Sequence, residues 1–333
     1  MNDNAIFPRS LPRICVMATG GTIAMRTEQR AGGPVPALKG RDLVAAAPGL
    51  DRVAQVRVED FANIPSERMR PEHWCGLAQR VSAVLAEEQP DGIVILHGTD
   101  TMEETAFFLD ITVPSPISIV FTGAMRAATD PDPDGPANIL QAAAVAVDSG
   151  SRDRGVLIVM HGEIHSARRG TKIDTSDVDA FESVLEPDLG IVGDGLVQFS
   201  HIWTPHVHVP LPSSLPRVDI IPMYAGVDEF ALRAALDRGA AGLVISSVGA
   251  GNVNEALYQG ILEALYRSVP VVISTRVPFG GVRPIYAYAG GGTALLKAGA
   301  IFANDLNPQK SRVLLMTGLG AGYDHQSLRE LFA

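Results

Sequence analysis

The sequence predicts an α/β protein of two open, mostly parallel-sheet domains, a larger N-terminal one and a smaller C-terminal one. Three observations lead there. Short apolar runs recur along the chain, each followed by a polar, glycine-containing turn and then a helix-length segment. These runs lack polar alternation, as expected of strands covered by helices on both faces. A proline-rich stretch over residues 201–216 then interrupts the rhythm, which resumes beyond it.

Taken in order, Ile14–Ala18 is the first strand and runs into Thr19-Gly-Gly-Thr22. A helix follows over Arg70–Glu87, with a proline near its start where the missing N–H costs nothing. Gly92–Leu96 runs into His97-Gly-Thr-Asp100, and Thr101 with Glu104 reads as the capping box of the next helix. Ile117–Phe121 leads to Thr122-Gly-Ala-Met-Arg126, Pro136–Val147 is a helix, and Gly155–Met160 leads to His161-Gly-Glu163. Pro205, Pro210, Pro212 and Pro216, with Ser213 and Ser214, make an extended linker. The second half alternates Val218–Met223, a helix near Asp228–Asp237, Gly242–Val248, a helix near Asn254–Arg267, and Pro270–Thr275. The expected division is a domain over 1–200, a linker over 201–216 and a domain over 217–333, without internal repeats.

The chain has 333 residues, 46% hydrophobic and 19% charged, which suits two buried cores. The formal net charge of −10 and the lack of a basic stripe argue against a nucleic-acid partner. The longest apolar runs fall far short of the ~18 residues that span a bilayer. Met1–Pro12 carries no continuous apolar stretch ahead of a cleavage site, so the expected location is cytoplasmic. Two cysteines, Cys15 and Cys75, make neither a disulfide framework nor a thiolate metal site.

Ligands of open parallel sheets bind beyond the carboxyl ends of the strands. Thr19–Ala24, His97–Thr101, Thr122–Arg126 and the loop ending in Lys172 all follow strands at that edge, so one crevice can hold them all. Thr19-Gly-Gly-Thr-Ile-Ala24 lacks the third glycine of a dinucleotide fingerprint and the lysine of a P-loop. By itself it is as readily a strand-ending turn with capping threonines. Asp100 sits where a helix dipole stabilises a carboxylate, although Thr99, Asp100 and Thr101 offer more caps than one helix needs. Lys172 alone reads as a solvated lysine and gains interest only if it reaches Thr99, where it can serve as a base toward the hydroxyl. His206-x-His208 has no further ligands nearby, and His161 and His165 flank Glu163 without a recognised ligand pattern, so no metal is expected.

Together these segments resemble the bacterial L-asparaginases, including the asparaginase-glutaminases. Thr19–Ala24 and His97-Gly-Thr-Asp-Thr-Met-Glu-Glu-Thr105 are similar to that family's two signature segments. The likeness extends to Asp134-Gly-Pro136, Thr171-Lys172, Gly249-Ala-Gly-Asn252, Arg276-Val-Pro278 and Leu306-Asn-Pro-Gln-Lys310, and so covers nearly the whole chain. The resemblance implies flavodoxin-like topology and hydrolysis of a side-chain amide to aspartate and ammonia without a cofactor. It implies Thr22 as nucleophile, with Thr99, Asp100 and Lys172 as a second cluster in which Lys172 assists Thr99. It also implies that Asp100, Ser66 and Glu67 bind the amino-acid head group and that the Ala124 carbonyl meets the leaving amide. Homotetramers of close dimers are implied too, with Asn252 in a loop near the dimer contact.

Two departures stand out. No tyrosine lies between Ala24 and Leu43, where the family carries one on a mobile loop; Met25–Gly33 is polar enough to serve as a lid. Gly281–Tyr288 has no acid where many members present a glutamate to the neighbouring subunit's site. Tyr286 and Tyr288 either pack within the second domain or stand in for a missing group. Glu67 replaces a common glutamine, which bears on asparagine against glutamine. The competing functions are a glutaminase-asparaginase, an amidohydrolase for another amide, and a catalytically weak amino-acid-binding protein.

Overall fold

The structure, a computed structural model, describes residues 10–200 and 207–333. Expectations for residues 1–9 and 201–206, including His206 and Pro205, lie outside them.

The chain begins with β1 (Arg13–Gly20), then a hairpin of β2 (Met25–Glu28) and β3 (Gly33–Pro36), and two short helices, α1 (Gly40–Ala45) and α2 (Leu50–Val53). β4 (Gln55–Ile64), α3 (Pro71–Glu87), β5 (Gly92–Leu96), α4 (Met102–Thr112), β6 (Ile119–Thr122), α5 (Gly135–Val147) and β7 (Val156–Met160) complete the parallel core. Short strands follow: β8 (Glu163–Ser166), β9 (Gly170–Lys172), β10 (Phe181–Ser183), β11 (Gly190–Gly193) and β12 (Leu196–Phe199). The second half holds β13 (Val218–Pro222), α6 (Phe230–Asp237), β14 (Gly242–Ser247), α7 (Glu255–Tyr266), β15 (Val271–Thr275), α8 (Gly292–Ala298), β16 (Ile301–Phe302), α9 (Pro308–Gly320) and α10 (His325–Leu331).

The large sheet has the order β12-β11-β8-β7-β6-β5-β1-β4. Its parallel strands, β4-β1-β5-β6-β7, form the doubly wound order 2-1-3-4-5 counted along the chain. The order reverses between β1 and β5, the position where doubly wound sheets bind their ligands. Ile93, Val94, Ile95 and Leu96 are all fully buried, which is why β5 shows no alternation. The antiparallel edge β8-β11-β12 was not foreseen. The smaller sheet, β13-β14-β15-β16, is wholly parallel.

Several local expectations need correction. Thr101 precedes α4 but makes no side-chain cap; its Oγ1 donates instead to Ser66 O at 2.8 Å, so a tertiary bond replaces the capping box. The polar lid segment is not an open loop but the β2–β3 hairpin, tied at Thr27 N to Thr129 Oγ1 at 2.9 Å. A 3-10 turn, Thr22–Ala24, begins where no helix was read. Residues 207–216 carry no helix or strand, yet Val209 is buried and its N–H donates to Ile111 O, so this part of the linker is packed down.

The second half buttresses the first through α9. Asn307 caps that helix by accepting from Lys310 N, and its Nδ2 donates to Glu103 Oε1 on α4. Lys310 is almost completely enclosed, and its Nζ donates to Arg168 O at 3.0 Å and Gly170 O at 2.7 Å, just ahead of Lys172. Burial pushes its pKa down from 10.5 to about 8, and a neutral amine still has protons for both bonds. Between those pH values the unfolded chain binds more protons at this position, so stability rises with pH. Denaturation measured for the parent and for Lys310→Met will show the difference between them growing in the parent's favour from pH 8 to 10.5, on the order of 3 kcal/mol.

Candidate active site

Three loops meet at the reversal point, and glycine sets how closely. Gly20 and Gly21 have φ of 109° and 87°, a region that disfavours side chains. A Cβ on Gly21 would lie 2.2 Å from Gly98 Cα, and one on Gly98 would lie 2.7 Å from Ser66 Oγ. The turns after β1 and β5 therefore touch backbone to backbone, and the Ser66 side chain packs against Gly98. Thr19 Oγ1 reinforces the junction by donating to Leu96 O at 3.0 Å. The Gly21 N–H donates to Ile64 O, so it is not free to serve as an oxyanion donor.

On this platform Lys172, from β9, reaches the turn after β5. Its Nζ lies 2.8 Å from Thr99 Oγ1 and 2.7 Å from Asp100 Oδ1. Thr99 is buried, while Asp100 keeps 64% of its side chain exposed. A hydroxyl buried at one end of such a contact can pass its proton to the amine and become a nucleophile or a base relay. Thr22 is half-buried beside Gly21, Ser66 is buried and Glu67 is exposed.

His97 is neutral here. It is fully buried, burial pushes its pKa down to about 4, and its Nδ1–H donates to the Gly98 carbonyl at 2.7 Å. It shapes the turn and does not exchange protons near neutrality. Ala124 is enclosed, and its loop is held by residues that sequence reasoning did not single out. Asp134 accepts from the N–H groups of Met125 and Arg126, and Asn138 Nδ2 donates to Gly123 O. Their only advance signal was the Asp134-Gly-Pro136 match. Asn252, Tyr286 and Tyr288 lie on the second domain, and among the described residues no hydrogen bond joins them to Thr99, Asp100 or Lys172. The tyrosines are not packed inward; they are 47% and 57% exposed, with ring centres 5.7 Å apart.

The family description "Asparaginase, N-terminal" matches residues 13–204, and "Glutaminase/Asparaginase C-terminal domain" matches 217–332. The chain belongs to the asparaginase family. Among its relatives in this family, a "Probable L-asparaginase" of Deinococcus radiodurans is 39% identical over 98% of this chain and 98% of its own. "L-asparaginase 2" of Escherichia coli is 35% identical over 97% of this chain and 93% of its own. The crystal structure of a "Probable Cytoplasmic L-asparaginase" from Campylobacter jejuni superimposes with a TM-score of 0.87 at 36% identity, covering 96% of this chain and 99% of that one. The asparaginase fold thus extends over both sheets, and no helix among the described residues is long and apolar enough to cross a membrane.

The contact between loops yields a test. Gly21→Ala must push Gly98 away or adopt a strained φ. It is expected to lower stability by roughly 1–3 kcal/mol in chemical denaturation and to cost more activity than that loss explains, because Thr22 shifts relative to Thr99.

Proposed function

We propose that this protein hydrolyses the side-chain amide of L-asparagine to L-aspartate and ammonia. The observation that supports it best is Lys172 in contact with both Thr99 and Asp100, on the platform that also carries Thr22. In this reading the Thr22 hydroxyl attacks the amide carbon. Its proton passes through the Thr99 hydroxyl to Lys172 and on to the leaving nitrogen, which departs as ammonia. Water then attacks the acyl-threonine, loses a proton along the same route, and releases aspartate with the Thr22 hydroxyl restored. The oxyanion of each tetrahedral stage needs fixed donors, a role for the backbone N–H groups of Thr22 and Thr99.

The exposed Asp100 carboxylate receives the substrate ammonium, and Ser66 donates to the α-carboxylate. The Ala124 carbonyl meets the leaving amide. No cofactor or metal takes part in these steps. Assembly as a tetramer of close dimers belongs to the same proposal. The exposed Tyr286–Tyr288 pair, with Ile285 and Phe279 exposed beside it, suits a partner's crevice, and Asn252 lies on the same domain. The proposed location is the cytoplasm.

Purified protein is expected to release ammonia from asparagine, and Thr22→Ala to lower kcat on the order of 10³-fold with the fold intact. Release from neither asparagine nor glutamine above that variant's background would leave an amino-acid-binding protein as the reading. Glu67 places an extra negative charge at the crevice. Glu67→Gln is expected to raise kcat/KM for glutamine relative to asparagine several-fold; an unchanged ratio removes Glu67 from selectivity.

A further inference from the structure

Away from the crevice, the antiparallel edge of the large sheet gathers a second set of polar groups. Glu163 and His165 alternate along β8, so both side chains leave the same face. β11 pairs with β8 through Gly190 opposite Ile164, and the segment entering it brings Asp188 alongside His165. His165 has no exposed side-chain surface. Its Nδ1 lies 2.8 Å from Asp188 Oδ1 and 3.0 Å from Ser183 Oγ. Its Nε2 is buried without a hydrogen-bond partner and faces Glu163 Oε2 at 3.8 Å.

We propose that Glu163, His165 and Asp188 form a binding site for a divalent transition-metal cation of the Zn2+ type. One ligand atom from each residue lies within 4.8 Å of the other two. Zinc bonds of about 2.0–2.2 Å set neighbouring tetrahedral ligands about 3.3–3.6 Å apart, so the 3.8 Å between His165 Nε2 and Glu163 needs only a small closure. The Ser183 hydroxyl can accept from Nδ1–H, which leaves the Nε2 lone pair free, and Asp188 Oδ1, buried without a hydrogen-bond partner, stays available to the ion. The charges also favour a cation. No lysine or arginine pairs with Glu163 or Asp188 among the described residues. Both carboxylates stay about one-third exposed, which leaves a path from solvent.

The ion's role is structural. The His165 ring packs on Phe181 at 6.5 Å between centres, and Phe181 pairs in register with Lys172. A cation here would brace the hairpin behind the Lys172 strand. In the sequence Glu163 and His165 lack a third ligand, because Asp188 reaches His165 through the β8–β11 pairing.

The test is zinc binding by chelator-treated, full-length protein, followed by titration calorimetry and by metal content after desalting. The parent is expected to retain one Zn2+ per chain and to melt at a higher temperature with zinc than without. Glu163→Gln and Asp188→Asn keep side-chain size, spare the buried imidazole, and should each weaken binding about tenfold or more. No zinc retained by the folded parent overturns the proposal, and so does binding that both variants leave unchanged. Because the readout is bound metal, it stands or falls independently of the amidase reaction.

Discussion

The backbone approach of Gly21 to Gly98 is the constraint on which the rest of the site depends. A parallel sheet offers its crevice where the strand order reverses, and here that point lies between β1 and β5. Bringing the two strand-ending turns into van der Waals contact leaves no room for a Cβ on either, and Ser66 closes the third side. The cost is that Gly20 and Gly21 both take a conformation with φ above 80°. The return is a hydroxyl-bearing turn held rigidly against Thr99.

Lys172 reaches this platform from a different part of the fold, and its approach has its own support. The strand that carries it is short, and among the described residues its one pairing partner is Phe181–Ser183. It is held from behind by the buried Lys310 ammonium on the carbonyls of Arg168 and Gly170 and from the side by Asn307 on Thr171. The paired charges of Arg168 and Arg169 with Asp305 tie the turn just before this strand to the second domain. The smaller domain therefore acts on its own chain's site by fixing where one amine sits.

How much of this could be read in the sequence follows from the physics of each element. β1, β5, β6 and β7 are continuous apolar runs buried on both faces, so their pattern depends on no partner. Thr22, Thr99, Asp100 and Lys172 were legible as motifs, and the fold brings the last three into contact while setting Thr22 on the adjoining turn. The edge strands β8, β11 and β12 were not legible, because they are four residues long and partly polar. The Thr101–Glu104 pair fits a capping pattern, but only the folded chain presents Ser66 O to the same hydroxyl. Asp134 stood only in the Asp134-Gly-Pro136 match and Asn138 in no motif, because the bonds by which they brace the Ala124 loop form only in the folded chain.

The proposed reaction needs Lys172 to act through Thr99, and a double-mutant cycle on kcat/KM for asparagine measures that most directly. Thr99→Val and Lys172→Met remove the two ends of one 2.8 Å contact. If the two groups pass a proton as a unit, the double variant is no slower than the slower single variant, within about threefold. If the two losses instead multiply, the residues act independently, and the contact seen between them is not the path of the proton.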